Sequence, residues 1–286
     1  MDLLINIATK TMLYIVFLLS LNSLMIGKTN LWAIGNIVFF SIGCFITGFF
    51  SGHFGNTTAL YLLFFLVPVV VALVSLVFFY ASRVFKADFF LFFSLFFIEL
   101  NSVINKLVAG SSGYSNIGRP WGLISDMGLM LFVMLFMFLI IYSIHGFDSS
   151  RVAKLHTIIR NNDLLAASWG ININKTQLPV FVMSAIVSGL VGVLFAFCTF
   201  GADPNVFTTN NIIILFALVV FGGIDSIKGS VVAGMIYVLF TFLLESVLFT
   251  NYPVAAPKIA QIIFGILLVV SPLVAPKGLF GRRDFK

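Results

Sequence analysis

The sequence predicts an all-α membrane protein, a polytopic helical bundle of about eight to ten spans. Three observations carry this. Of the 286 residues, 60% are hydrophobic and only 9% are charged, with a mean hydropathy of +1.14, whereas a soluble domain carries about 25% charged residues. Apolar runs such as TALYLLFFLVPVVVALVSLVFFYAS (residues 58–82) and GLMLFVMLFMFLIIYSI (128–144) approach or exceed the roughly 20 residues that cross about 30 Å of hydrocarbon as a helix. The runs also lack the apolar/polar alternation by which a transmembrane β-barrel separates its lipid and lumen faces.

In chain order the runs fall near 11–27, 31–50, 59–81, 88–107, 123–145, 179–200, 205–221, 229–250 and 258–275. The first has only Lys10 before it and no small-residue cleavage site, so it reads as a retained span. Two arrangements fit residues 1–50. Either the first two runs are separate spans, or Gly27, Lys28, Thr29 and Asn30 break a helix inside the membrane and the second run is re-entrant; irregular backbone at depth is tolerated only beside protein or a watery path. The fourth run contains Glu99 and Asn101. In the sixth, Ser188, Gly189 and Gly192 suit close helix approach. Cys44 and Cys198 lie inside apolar runs and read as small buried hydrophobes.

Nine alternating spans place Lys28, Arg83, Lys86, Arg151, Lys154, Arg160, Lys175, Lys228, Lys277, Arg282, Arg283 and Lys286 on one side, and only Lys10, Lys106, Arg119 and Lys258 on the other. The positive-inside rule makes the first side cytoplasmic, including the 146–178 loop and the C-terminus. The net charge of +6 is thereby explained by topology, without nucleic acid. No hydrophilic run is long enough for a soluble domain, so 1–286 reads as a single transmembrane domain. It has no Walker A sequence, no HExxH and no nucleophile elbow. No catalytic residue, no metal site and no bound cofactor are expected, and the energy for any transport has to come from a partner or a gradient.

The 146–178 loop is polar and basic yet patterned. Asn161 or Asn162 can cap a helix start, Asp163 suits the positive end of the dipole, and Gly170 is placed to end the helix in a left-handed cap. Leu165, Ser168 and Trp169 then share one face, flanked by Leu164. Such a helix either lies on its own protein or on lipid headgroups, or enters a groove in a partner.

Several stretches resemble the membrane subunits of bacterial ABC importers for branched-chain amino acids, in particular the LivM-like permease. LNSLMIGKTNLWAIGNIVFFSIG (21–43) resembles the family's opening pattern, with Asn36 in place of a His. SLFFIEL (94–100) places Glu99 on an acidic position of the family, and SSGYSNIGRP (111–120) resembles its external loop. SRVAKLHTIIRNNDLLAASWGI (150–171) is similar to the loop that carries Arg151 and Arg160, with Asn161 and Asp163 in place of two Glu residues. FVMSAIVSGLVGVLFA (181–196) and the Pro204–Phe207 element follow. VVFGGIDSIKGSVVAG (219–234) is similar to a Gly-Gly-x-Gly-Ser-x-x-Gly-Pro turn that places Gly222, Gly223 and Gly229, with Asp225 and Ser230 as departures. PKGLFG (276–281) resembles the family's terminus.

The resemblance implies a multi-pass protein of the bacterial inner membrane. It would work with a second homologous permease, two ATP-binding subunits that hold ATP and Mg, and a periplasmic binding protein. Arg151, Arg160, Asp163, Leu164, Leu165, Ser168, Trp169 and Gly170 would form the coupling loop. Gly222, Gly223 and Gly229 would be conformational glycines. Asn22, Asn36, Glu99 and Asn101 are polar groups within apolar runs and are path candidates; for Glu99 a structural hydrogen bond to a neighbouring helix is an equal alternative. A permease for urea or short amides, or a gradient-driven secondary transporter, are the competing functions, the latter calling for its own coupling-ion site.

Overall fold

A computed structural model describes residues 2–29, 34–54, 59–84, 87–120, 123, 125–247, 259, 262–266, 270, 273 and 278–280. Among them, six helices are long and apolar enough to cross a membrane: Leu4–Thr29, Asn36–His53, Leu60–Arg83, Phe89–Ala109, Asp126–Asp148 and Ile173–Thr199. Two shorter apolar helices, Thr209–Gly222 and Ile227–Leu243, follow. Eight of the nine apolar runs are thus helical, and the ninth, 258–275, lies largely outside the described residues.

The first span is one rod. Helix α1 (Asp2–Leu19) passes through a π-helical stretch, Ser20–Ile26, into α2 (Gly27–Thr29). Of the break envisaged at residues 27–30, the described part shows none: the backbone stays helical to Thr29, and Asn30 lies outside the described residues. The irregularity sits earlier, in the π stretch, where wider turns replace the usual i→i−4 bonding. Helix α3 (Asn36–Phe54) is a separate, antiparallel neighbour. Asn36 meets Ser20, and Phe40, one turn on, meets Phe17, one turn back, so α3 runs against the direction of the rod.

A 3-10 turn, Ala59–Leu62, leads into α4 (Leu63–Val84), and α5 (Ala87–Ala109) returns. Strand β1 (Tyr114–Ser115) precedes α6 (Asp126–Asp148). Two short helices, α7 (Arg151–Asn161) and α8 (Asp163–Ser168), follow at one end, called here the loop end. Helix α9 (Ile173–Thr199) then crosses to the strand end, where β2 (Gly201–Ala202) pairs antiparallel with β1, Tyr114 opposite Ala202. The strand end is fastened by Arg119, which is buried. Its Nε donates to the Phe197 carbonyl at 2.7 Å, Nη1 lies 2.5 Å from Asp126, and the guanidinium sits 4.0 Å from the centre of the Phe200 ring.

Helix α9 is the most enclosed span, set between α3 and α4 and against the first rod. Acyl chains are as apolar as leucine, so spans associate by close packing rather than by escape from water. Glycine makes that packing possible here: a Cβ on Gly192 would collide with the Phe40 carbonyl, and one on Gly43 with the Gly189 carbonyl. Phenylalanines fill the space around this crossing edge to face, with Phe40 at 5.3 Å from Phe195 and 5.1 Å from Phe207, the arrangement the ring quadrupole favours.

After β2 the chain turns back into the bundle through a 3-10 turn, Pro204–Phe207, with Phe207 buried against Phe40 and Phe45. Helix α10 (Thr209–Gly222) therefore begins beside Glu99, near the middle of α5. Its 14 residues rise only ~21 Å, so the run expected to span at 205–221 covers part of the bilayer from an interior start. Helix α11 (Ile227–Val247) returns along the first rod, with Gly234 against Ile15 and Tyr237 4.7 Å from Tyr14.

Candidate functional site

The loop end is built around α8. Asn162 takes the cap: its Oδ1 accepts the Leu165 N–H at 3.0 Å, satisfying one of the amides a helix start leaves open. Gly170 ends the helix with φ +77°. The Gly170 N–H donates to Ala167 O at 3.0 Å and the Ile171 N–H to Ala166 O at 3.1 Å, the paired bonds of a Schellman cap. Ala166 points inward and is fully buried, whereas Leu165 is 44% and Trp169 66% exposed, with Ser168 exposed beside them. Arg151 is exposed in the first turn of α7. The side chains of Asn161, Asp163 and Leu164 lie outside those described.

Helix α7 is tied to the end of the first rod. A helix terminus leaves its last carbonyls unpaired, and three of them here receive side-chain donors from elsewhere in the chain. Arg160 Nη1 donates to Gly27 O at 3.1 Å, His156 Nδ1 to Lys28 O at 2.9 Å, and Gln177 Nε2, from the first turns of α9, to Thr29 O at 2.8 Å. Arg83, at the end of α4, donates in turn to Gln177 Oε1. Four charges surround the same point. Lys28 Nζ lies 2.5 Å from Asp148 and 2.9 Å from Asp225, and Arg160 Nη1 lies 3.2 Å from the other oxygen of Asp225. The Lys28 and Asp225 side chains are only 5% and 7% exposed, and two cations with two carboxylates leave this set neutral, the condition under which buried charge is tolerated.

His156 is fully buried, and its Nε2 has no hydrogen-bond partner among the described residues. Burial lowers its pKa below the usual histidine range. The Lys28 ammonium pushes the same way, and the bond to the Lys28 carbonyl works against both. The imidazole is therefore neutral at pH 7, with its proton on Nδ1, because a carbonyl can only accept.

Asp225 belongs to the turn between α10 and α11 and has φ +63°, a left-handed conformation that costs an ordinary side chain roughly 1–2 kcal/mol and explains why glycine suits this position. Asn22, in the π-helical stretch, holds the turn from inside. Its Nδ2 donates to Gly223 O at 3.0 Å and Ser230 Oγ at 2.9 Å, and its Oδ1 accepts the Asp225 N–H at 3.0 Å. Gly222 and Gly229 touch backbone to backbone, closing α10 on α11. Leu279 and Phe280 donate to the carbonyls of Phe221 and Gly222 at 2.9 and 3.1 Å.

The four polar path candidates fall into two places. Asn22 and Asn36 are inside the packed protomer. Asn36 Nδ2 donates to Ser20 Oγ at 3.2 Å, while Asn36 Oδ1 and Ser23 Oγ are buried without a partner among the described residues. Asn101 and Glu99 lie on α5, Asn101 buried against α3 and Glu99 on the outer face. Asn101 and Asn105 both donate to Ser41 Oγ, at 2.9 and 2.7 Å, on the wall of a cavity of ≈280 Å³ between α3 and α5. Glu99 is exposed and accepts a hydrogen bond from Thr209.

Lys28, Asp148, His156, Gln177 and Arg83 were not among the candidates. Lys28 reads in the sequence as one more positive-inside charge, and Asp148 and Asp225 are distant from it along the chain. One signal was present: Asp148 and Asp225 are two of only 10 acidic residues in the chain, and a carboxylate among the basic residues of the loop end calls for a cation.

Bilayer-length helices with polar groups at depth, and a capped helix presented at one end, define a polytopic helical membrane protein. The chain belongs to the family described as branched-chain amino acid transport system / permease component, whose model matches residues 3–272. It is 22% identical to the high-affinity branched-chain amino acid transport system permease protein LivM of Salmonella typhimurium, over 96% of this chain and 69% of that protein, and equally to LivM of Escherichia coli. It is 31% identical to the probable branched-chain amino acid transport permease protein LivH of Methanocaldococcus jannaschii, over 42% of this chain and 38% of that one. No solved structure matches it.

Proposed function

We propose that the chain is one membrane subunit of an ATP-binding cassette importer that carries branched-chain amino acids across a bacterial inner membrane by alternating access. A second homologous permease completes the membrane part. Two ATP-binding subunits, which keep ATP and Mg to themselves, dock at the loop end, and a soluble binding protein delivers substrate at the strand end. The excess of basic residues makes the loop end cytoplasmic. Glu99 faces the path where the two permeases meet, with Asn101 behind it on α5, whereas Asn22 and Asn36 transmit movement inside the protomer.

The observation that carries this reading is the division of labour in the loop. Leu165 and Trp169 are exposed on α8, while Arg160 and His156 of the adjoining α7 grip the carbonyls of Gly27 and Lys28. A partner that seats Trp169 and moves α8 thereby pulls on the first rod. From there Asn22 passes the movement to the α10–α11 turn through Gly223 and Ser230.

Affinity purification from membranes tests it. The chain is expected to bring down a second permease and an ATPase, and Trp169→Asp to lose the ATPase alone. Loss of a seated tryptophan costs about 2 kcal/mol or more, which is roughly 30-fold in affinity. Uptake by the purified chain in vesicles without any ATPase would overturn the proposal.

A further inference from the structure

The exposed faces of the membrane helices differ in chemistry. Helix α4 presents Phe65, Val69, Leu73 and Val77, and α6 presents Leu131, Leu135, Phe138 and Tyr142. Both faces suit acyl chains. Helix α5 presents Phe92, Phe96 and Val103, but with Glu99 exposed among them. Glu99 lies twelve residues from Ala87 and ten from Ala109, or ~18 Å and ~15 Å from the two ends of the helix, so it stands near mid-depth. The start of α10 reaches the same level, with Thr209 bonded to Glu99 and Asn210 exposed next to it. A carboxylate in hydrocarbon at that depth costs about 2.5–3.5 kcal/mol, and one hydroxyl donor does not replace its hydration.

We infer that the seam formed by α5 and the first turn of α10 is the face that packs on the second permease, so that Glu99 and Asn210 lie in a polar joint between two subunits while α4 and α6 face lipid. The inference rests on the importer reading above and adds which side of this chain meets its partner. A homologous permease fits as the occupant. This chain is similar to both LivM and LivH, two distinct permease proteins. A subunit of the same kind also brings helices long enough to cover Glu99 from end to end of the bilayer.

The test is site-directed photo-cross-linking in membranes that contain the complete transporter. A benzophenone amino acid is placed at Phe92, Phe96 or Val103 on α5, with Leu73 on α4 and Leu135 on α6 as controls, and each variant is first checked for uptake. Close packing across a subunit interface is expected to give on the order of tenfold more adduct with the second permease from the α5 positions than from the controls. Adducts from Leu73 or Leu135 but not from α5 would overturn the face and leave the pairing intact. An adduct between two copies of this chain would overturn the choice of a homologue as occupant. No adduct where the two permeases still co-purify would again reject the face, whereas failure of co-purification itself would reject the importer reading.

Discussion

Lys28 Nζ lies 2.9 Å from Asp225 Oδ1, joining the end of the first span to the turn between α10 and α11. The same ammonium touches Asp148 at the end of α6, and the other oxygen of Asp225 takes Arg160 from α7. Four separate elements thus meet on a neutral set of four charges. Removing one member of a buried set costs more than removing an oppositely charged pair, because the remaining charges stay buried and uncompensated. Lys28→Met and Asp225→Asn should each lower the melting temperature of the purified protein. The double variant should fall short of their sum by a coupling energy of about 1–3 kcal/mol. Additive losses would mean that the two charges do not sense each other.

His156 gives the same junction a pH dependence with a defined sign. Its folded-state pKa is lowered, first by burial and then by Lys28, so between that value and the unfolded value the unfolded chain holds more protons than the folded one. Stability then rises with pH. The contribution is complete above about 6.5, the ordinary histidine value, and is lost as pH falls through the lowered one. The groups around the ring are the Lys28 carbonyl and ammonium, Phe147, and Asp148 and Asp225 through Lys28. Melting curves between pH 5 and 8 should be level at the upper end and fall below about 6.5, and His156→Gln should flatten that fall.

The crossing of α3 and α9 predicts a contrast between two glycines. A methyl group on Gly192 meets the Phe40 carbonyl, which is backbone and cannot turn aside, whereas one on Gly146 meets nothing within 4 Å. Gly192→Ala should destabilise by about 1–3 kcal/mol through overpacking. Gly146→Ala, in a helix, should be neutral or slightly stabilising, by up to about 1 kcal/mol. Thermal unfolding of both purified variants measures the difference.

What could be read from the sequence follows from which forces are local. Spans are legible because each must satisfy its own backbone and cover its own length of hydrocarbon, and the α8 caps are legible because Asn162 and Gly170 act within four residues of their partners. Depth is not local. The 205–221 run is long enough to read as a span despite Thr208–Asn211 near its start, and only Phe207 packing on Phe40 and Phe45 shows that α10 starts inside the bundle. The π-helical course of Ser20–Ile26 left no recognisable mark, since it accommodates contacts of Ser20 and Asn22 with residues more than 150 positions away. Lys28 was legible as a charge on the correct end of the molecule, but its burial depends on Asp148 and Asp225, which only the tertiary fold delivers.

Asn162 separates the two roles open to α8, a docking element and a structural prop. Its side chain caps the helix through Leu165 N–H and is itself exposed, so Asn162→Ala removes the cap without opening the core. Loss of an N-cap costs about 1 kcal/mol of helix stability. If α8 serves to dock a partner, that cost falls on binding: a helix that must be ordered at the moment of docking binds the ATPase about fivefold more weakly, while the melting temperature of the isolated permease stays where it was. If α8 is a prop for the bundle, the melting temperature falls and affinity for the ATPase is unchanged. Titration of the ATPase against the reconstituted permease, alongside thermal unfolding, reads both quantities on the same preparation, and the docking role requires the first to move and the second to hold.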